Sequence, residues 1–226
     1  MTETSTTPLQ PAAVLWDMDG TLVDTEPYWM AAETQLVEKY GGTWSHEEAL
    51  SLVGSGLWHS ARVLQAKGVE LTEDEIIQTL TTQVMRQLDI AVPWRPGARE
   101  LLEELHEAGI PAALVTMSIR RMAEHVVAAL PSGHLAAIVA GDDVEHSKPH
   151  PEPYLKGAAA LGVSAADCVA IEDSAPGVAS AVASGAVVIG VPFFGEIPDV
   201  PGHTIWNTLA GRTVNDLQYL YRSERQ

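Results

Sequence analysis

Basic residues are scarce in this chain: 13 Lys and Arg stand against 30 Asp and Glu, a formal net charge of −17. Nucleic acid polymers and anionic membrane surfaces need a basic footprint, so the balance argues against both as partners. Cysteine is nearly absent. The lone Cys168 excludes an internal disulfide, and its place in the apolar run CVAI marks it as buried rather than reactive. No apolar stretch approaches the roughly 18 residues of a membrane-spanning helix. Residues 1–10, MTETSTTPLQ, lack the basic start and apolar stretch of a secretory signal and read as a loose tail, so the expected location is cytoplasmic. Low-complexity tracts and solenoid-period repeats are also missing. With 46% hydrophobic and 19% charged residues over 226 positions, the chain reads as soluble and globular, one large domain or one domain carrying an insertion. The acidic balance repels phosphates too, so a site for them has to supply its own cations.

What is present is an alternation. Apolar runs of strand length occupy 12–16, 112–115, 136–140, 168–171 and 187–191, and helical spacing fills 98–108, 120–130, 153–161 and 177–184. That order predicts a parallel sheet with helices on both faces and a ligand crevice at the strand carboxyl ends. The interval between the first two runs is far too long for one crossover helix, which predicts an insertion. Helical spacing recurs there in EPYWMAAETQLVEKYG, HEEALSLVG, HSARVLQAKG and EDEIIQTLTTQVMRQL, with no strand pattern, so a small helical bundle is expected. Two prolines in VPWRPG, 92–97, suit a linker of limited flexibility. The expected division is 1–24 plus 93–226 for the α/β domain and 25–92 for the helical insertion. The closing TVNDLQYLYRSERQ reads as an amphipathic helix that packs.

Four signals carry chemistry. Asp17-Met18-Asp19-Gly20-Thr21 follows the first apolar run directly, and residues two apart on an extended backbone face one way, so Asp17 and Asp19 both reach the crevice. Carboxylates that close repel each other unless a cation intervenes, and Gly20 allows close backbone approach. Alone, the motif also fits an acidic helix cap. Glu172-Asp173-Ser174 follows a later run, with the same capping alternative. Together, two acidic pairs at strand ends of one sheet form a hard oxygen site suited to Mg²⁺. Lys148, beyond the third run, supplies a cation, and Thr116, ending ALVT, supplies a hydroxyl and backbone N–H groups for phosphoryl oxygens. The histidines show no paired helical spacing of the kind zinc enzymes use, and most are expected at the surface.

In this order and spacing, DMDGT, LVT, the Lys148-Pro149 pair and EDS resemble the haloacid dehalogenase superfamily over residues 14–191. DMDGTLVDTEPYW, KPHPEPY and IEDSAPGVASAVASG are similar in particular to its phosphatases and phosphomutases with a helical cap after the first strand. The resemblance implies an α/β fold, a Rossmann-like parallel-sheet core with an inserted α-helical cap. It implies that Asp17 attacks phosphorus to form an aspartyl-phosphate, and that Asp19 protonates the leaving oxygen and then deprotonates water. It implies Mg²⁺ held by Asp17, the Asp19 backbone carbonyl and Asp173, with Glu172 direct or through water. Gly20, Thr116, Met117, Ser118 and Lys148 would surround the phosphoryl group. A lid of this kind protects an activated ester, with Asp24 and Thr25 at the hinge or, equally, capping the first lid helix. Trp58 and His59 are candidates for substrate contact from the cap, although an aromatic on a helical bundle more often packs in its core. A monomer acting on a small-molecule phosphate is expected.

Met117 stands where many relatives have Asn, which implies altered leaving-group recognition rather than lost phosphate binding. Trp29 and Leu57 stand near positions where sugar phosphomutases carry a histidine and a phosphate-binding arginine, which favours hydrolysis over mutase turnover. A dehalogenase needs no metal and no second aspartate, so Asp19, Glu172 and Asp173 argue against it. A non-catalytic phosphate-binding module is the remaining alternative.

Overall fold

The computed structural model describes residues 10–198 and 201–225, so all of the expected tail except Gln10 lies outside the described residues. The chain enters the sheet at once. β1 (Ala13–Trp16) is buried along its whole length and is followed by four helices, α1 (Glu26–Lys39), α2 (His46–Leu50), α3 (Leu57–Ala66) and α4 (Glu73–Leu88). Then come α5 (Ala98–Glu107), β2 (Ala112–Val115), α6 (Arg120–Ala128), β3 (Ala137–Val139), α7 (Glu152–Ala160), β4 (Cys168–Glu172), α8 (Ala175–Ala183), β5 (Val187–Gly190), β6 (His203–Ile205) and α9 (Val214–Glu224).

Among the described residues every pairing within the six-stranded sheet is parallel, and its order is β3-β2-β1-β4-β5-β6. Continuous apolar strands are what a parallel sheet covered on both faces requires. Alternation sorts their side chains into two cores. Val14, Trp16, Leu114, Val169, Ile171 and Ile189 face one way, towards Leu101 and Leu105 of α5 and Met122 and Val126 of α6. Leu15, Val115, Cys168, Ala170 and Val188 face the other way, towards Tyr154 of α7 and Val178 of α8. The strand order reverses at β1, whose neighbours are β2 and β4, and a doubly wound sheet opens a crevice at the carboxyl ends beside such a point.

β6 was not anticipated. It is a three-residue edge strand on β5 with a partly exposed pattern, joined by backbone pairing rather than by an apolar run. The third expected strand is also shorter, Ala137–Val139 rather than 136–140.

The helices after β1 start where their caps dictate. Ser45 with Glu48 and Thr72 with Glu75 form reciprocal capping boxes at α2 and α4, and Pro27 opens α1. The strands entering and leaving this segment run side by side: Asp24 N–H donates to Pro93 O at 2.7 Å and Arg95 N–H to Leu22 O at 3.0 Å. Farther out, the Arg121 guanidinium of α6 donates to Gln78 O and Thr82 Oγ1 of α4, both at 2.8 Å. No helix among the described residues is long and apolar enough to cross a membrane.

Candidate active site

Register brings the site together. Trp16 pairs with Leu114 of β2 and Ile171 of β4, so the next residues, Asp17, Val115 and Glu172, emerge side by side at the crevice. The ladder continues one step, with Asp17 N–H donating to Ile171 O at 3.0 Å. Asp17, Glu172 and Asp173 are all buried, and one oxygen from each lies within 4.8 Å of the others.

Lys148 reaches into this cluster from the loop before α7. Its Nζ donates to Asp17 Oδ1 at 2.6 Å, Glu172 Oε1 at 2.6 Å and Val115 O at 2.9 Å. Burial by itself would lower its pKa, but Asp17 and Glu172 overturn that and hold it above the usual lysine value. Burial, with repulsion from Glu172, pushes Asp17 up to about 7 against the pull of Lys148. Asp173 is raised well above the carboxylate range by burial and by Asp17 and Glu172. Three clustered carboxylates thus face one ammonium, which pairs with two of them, and Asp17 Oδ2 is buried with no hydrogen-bond partner among the described residues. A hard divalent cation with oxygen preference fits that donor set and that charge deficit.

Glu172 is held rigidly. Tyr154 Oη donates to its Oε1 at 2.7 Å, and the Ser174 hydroxyl and N–H donate to its Oε2 at 3.1 and 3.3 Å. Gly177 makes room for it, since a Cβ there would stand 2.0 Å from the carboxylate. Gly20 serves Asp173 in the same way: at φ +86° its missing Cβ would meet Asp173 Oδ2 at 2.0 Å. Gly20 is therefore a point of close approach, and it is not among the residues lining the cavity above the cluster.

The Asp19 carboxylate turns away from the acidic cluster and is wrapped by donors. Thr25 Oγ1 at 2.5 Å and Trp29 Nε1 at 3.3 Å reach Oδ1, while Ser118 Oγ at 2.8 Å and Thr116 Oγ1 at 3.2 Å reach Oδ2. Its side chain is accordingly not one of the clustered three. Thr116 Oγ1 also accepts from the Ser118 N–H at 3.0 Å, which sets the turn containing Met117.

The cavity is bounded below by Asp17, Asp19, Thr116, Met117, Ser118, Lys148 and Asp173, and above by residues of α1 to α4. Trp58 and His59 are not among its lining. They lie on the outer side of α3, where Trp58 Nε1 donates to Asp74 at 3.3 Å and its ring packs on the helical core. The residues of that helix facing the cavity are Leu57 and Ser60, because a step of one residue turns a side chain by about 100°. Glu26, Trp29, Met30 and Glu33 were not foreseen as a group, yet their spacing puts all four on the cavity face of α1. That spacing was the available signal.

Among the described residues, histidines do contribute to one group with metal-ligand spacing. His146 and His150 stack at 4.5 Å, and with Glu152 they offer ligand atoms within 4.8 Å of one another. The two are four apart on a loop rather than a helix. His146 Nδ1 is hydrogen-bonded to Glu152 at 2.9 Å, and His150 Nδ1 accepts the Glu152 N–H at 3.2 Å, contacts that brace the loop carrying Lys148.

An acidic triad with one buried lysine, at the switch point of a 3-2-1-4-5-6 sheet, defines a class, and residues 14–191 match the family model of the haloacid dehalogenase-like hydrolases. The chain belongs to that family. It is 36% identical to hexitol phosphatase A of Escherichia coli over 187 residues, 78% of this chain and 81% of that one. It is 32% identical over 213 residues to the bifunctional riboflavin kinase/FMN phosphatase of Arabidopsis thaliana. That match takes in 91% of this chain, which spans about half, 53%, of the longer protein. The crystal structure of CbbY from Rhodobacter sphaeroides in complex with phosphate superposes with a TM-score of 0.81 at 26% identity, covering 92% of this chain and 99% of the other.

Proposed function

We propose that this chain is a Mg²⁺-dependent phosphatase that hydrolyses a small organic phosphate monoester through an aspartyl-phosphate on Asp17. The observation that carries the reading is the buried Asp17, gripped by Lys148 and flanked by Glu172 and Asp173, with the Asp19 carboxylate nearby on its own set of donors. In the first transfer a carboxylate oxygen of Asp17 bonds to phosphorus as the ester P–O bond breaks, and Asp19 gives its proton to the departing alcohol oxygen. In the second, water attacks the same phosphorus, Asp19 takes the proton, and the P–O bond to Asp17 breaks to free inorganic phosphate. Lys148, already on Asp17 Oδ1, balances negative charge on the transferring group, and Thr116 and Ser118 hold the Asp19 carboxylate between the two steps. Asp17, Glu172 and Asp173 would hold Mg²⁺, which when bound supplies charge neutralisation and a template for a loose phosphoryl transition state.

Helices α1 to α4, residues 25–92, act as the lid over the domain made of 1–24 and 93–226, flexing at the paired strands around Asp24 and Pro93. The Arg121 contacts to α4 stabilise its closed position. Every group in the scheme comes from one chain, so a monomer suffices. Relatives named as phosphatases support hydrolysis over mutase turnover, as do the cap side chains lining the cavity, which include no cation to seize a second phosphate.

The test is turnover of p-nitrophenyl phosphate. Activity is expected with Mg²⁺, loss with EDTA, and a drop of about 10³-fold or more for Asp17→Asn. A wild type no faster than Asp17→Asn in Mg²⁺ refutes the proposal.

A further inference from the structure

The cavity has an unusual upper wall. Of its charged lining residues, five are acids, Asp17, Asp19, Glu26, Glu33 and Asp173, and the single cation is Lys148. The lysine has its donors on Asp17, Glu172 and Val115 O, at the floor. Among the described residues the upper wall, where the alcohol half of a phosphate ester must sit, therefore offers no positive charge. It offers Glu26 and Glu33 of α1, the hydroxyls of Ser55 and Ser60, and apolar surface from residues such as Met30 and Leu57.

Glu33 is 5% exposed, yet the one hydrogen bond it receives from the described residues comes from Trp44 Nε1, at 3.3 Å on Oε2. Glu26 receives none there, and neither forms an ion pair among the described residues. Their unpartnered oxygens are not among the buried unsatisfied atoms, so they stand open to the cavity as spare acceptors that a ligand can use. Both groups are shifted towards their neutral forms, Glu26 to about 8 and Glu33 to about 7, chiefly by burial. Near neutral pH both can give or accept a hydrogen bond to a hydroxyl, and the only charge they can carry is negative, so neither attracts a second anion.

We propose that Glu33, assisted by Glu26, selects monophosphates of uncharged, hydroxyl-bearing alcohols of the sugar or polyol type and rejects substrates with a second anionic group on the alcohol half. The inference rests on the phosphatase reading and extends it to substrate class. Trp44 is the positioning group, since its indole fixes which Glu33 oxygen remains for the substrate.

The experiment compares kcat/KM in saturating Mg²⁺ for sorbitol 6-phosphate, fructose 1,6-bisphosphate, phosphoglycolate, phosphoethanolamine and p-nitrophenyl phosphate. Wild type, Glu33→Gln and Glu33→Leu are the proteins measured. Sorbitol 6-phosphate is expected to exceed the bisphosphate and phosphoglycolate by at least about tenfold in wild type, the scale of one charge-linked hydrogen bond. Glu33→Gln, which keeps the shape and the Trp44 acceptor, is expected to narrow that ratio. Glu33→Leu is expected to raise KM for sorbitol 6-phosphate about tenfold while changing kcat less. A wild type that turns over p-nitrophenyl phosphate but shows no preference for the polyol ester, or whose ratio is unmoved in Glu33→Gln, overturns the inference and leaves the phosphatase standing. Preference for phosphoethanolamine overturns it too, in favour of a cation-selective wall. Inactivity on every ester sinks both.

Discussion

At the scale of single residues, Glu33 also carries a stability consequence. Burial raises its carboxyl from 4.5 to about 7, with the Trp44 hydrogen bond pulling the other way. The folded state thus holds the proton more tightly than the unfolded state does. The stability this confers is fully present below pH 4.5 and is lost as pH rises towards 7, where the buried group must ionise. Glu33→Gln cannot ionise and still accepts from Trp44. Its thermal stability relative to wild type is therefore expected to improve between about pH 5 and about pH 8, by up to about 3 kcal/mol, measured as Tm across that range. A constant Tm difference would show that Glu33 is not desolvated.

At the scale of elements, the junction of β4 with α8 decides how firmly the acidic cluster is set. Ser174 caps α8 by accepting the Gly177 N–H at 3.2 Å while its own hydroxyl and N–H donate to Glu172, so helix start and carboxylate are one unit. Adding a methyl at Gly177 would intrude on a carboxylate that cannot swing aside, because Lys148, Tyr154 and Ser174 all hold it. Gly177→Ala is expected to raise the Mg²⁺ concentration needed for half-maximal activity about tenfold or more, read from a metal titration of p-nitrophenyl phosphate turnover. An unchanged titration would mean that Glu172 does not help to hold the metal.

At the scale of the whole molecule, a chain of net charge −17 repels a phosphate dianion before it reaches Lys148. Screening weakens that barrier. With Mg²⁺ saturating, kcat/KM for p-nitrophenyl phosphate is expected to rise about two- to threefold between about 10 mM and about 150 mM NaCl, because the Debye length falls from about 30 Å to about 8 Å. A steady fall over that range would show that the local field at the cavity mouth is positive in spite of the overall charge.

The strands β1, β2, β4 and β5 were legible because a parallel sheet covered on both faces demands continuous apolar runs, and Asp17, Thr116, Glu172 and Asp173 because they follow those runs directly. β6 was not, since His203–Ile205 owes its place to backbone pairing at an edge. The sequence by itself determined the alternation of strands and helices, the long insertion of helical pattern, and the residue types able to do phosphoryl chemistry, all of which are local periodicities and motifs. Only the tertiary structure decided which face of the helical insertion meets the cavity. It turned Trp58 and His59 outward and aimed Glu26, Trp29 and Glu33 inward. That choice depends on how α1 and α3 are rotated against each other and against the sheet, a property of packing between distant segments that no single helix encodes.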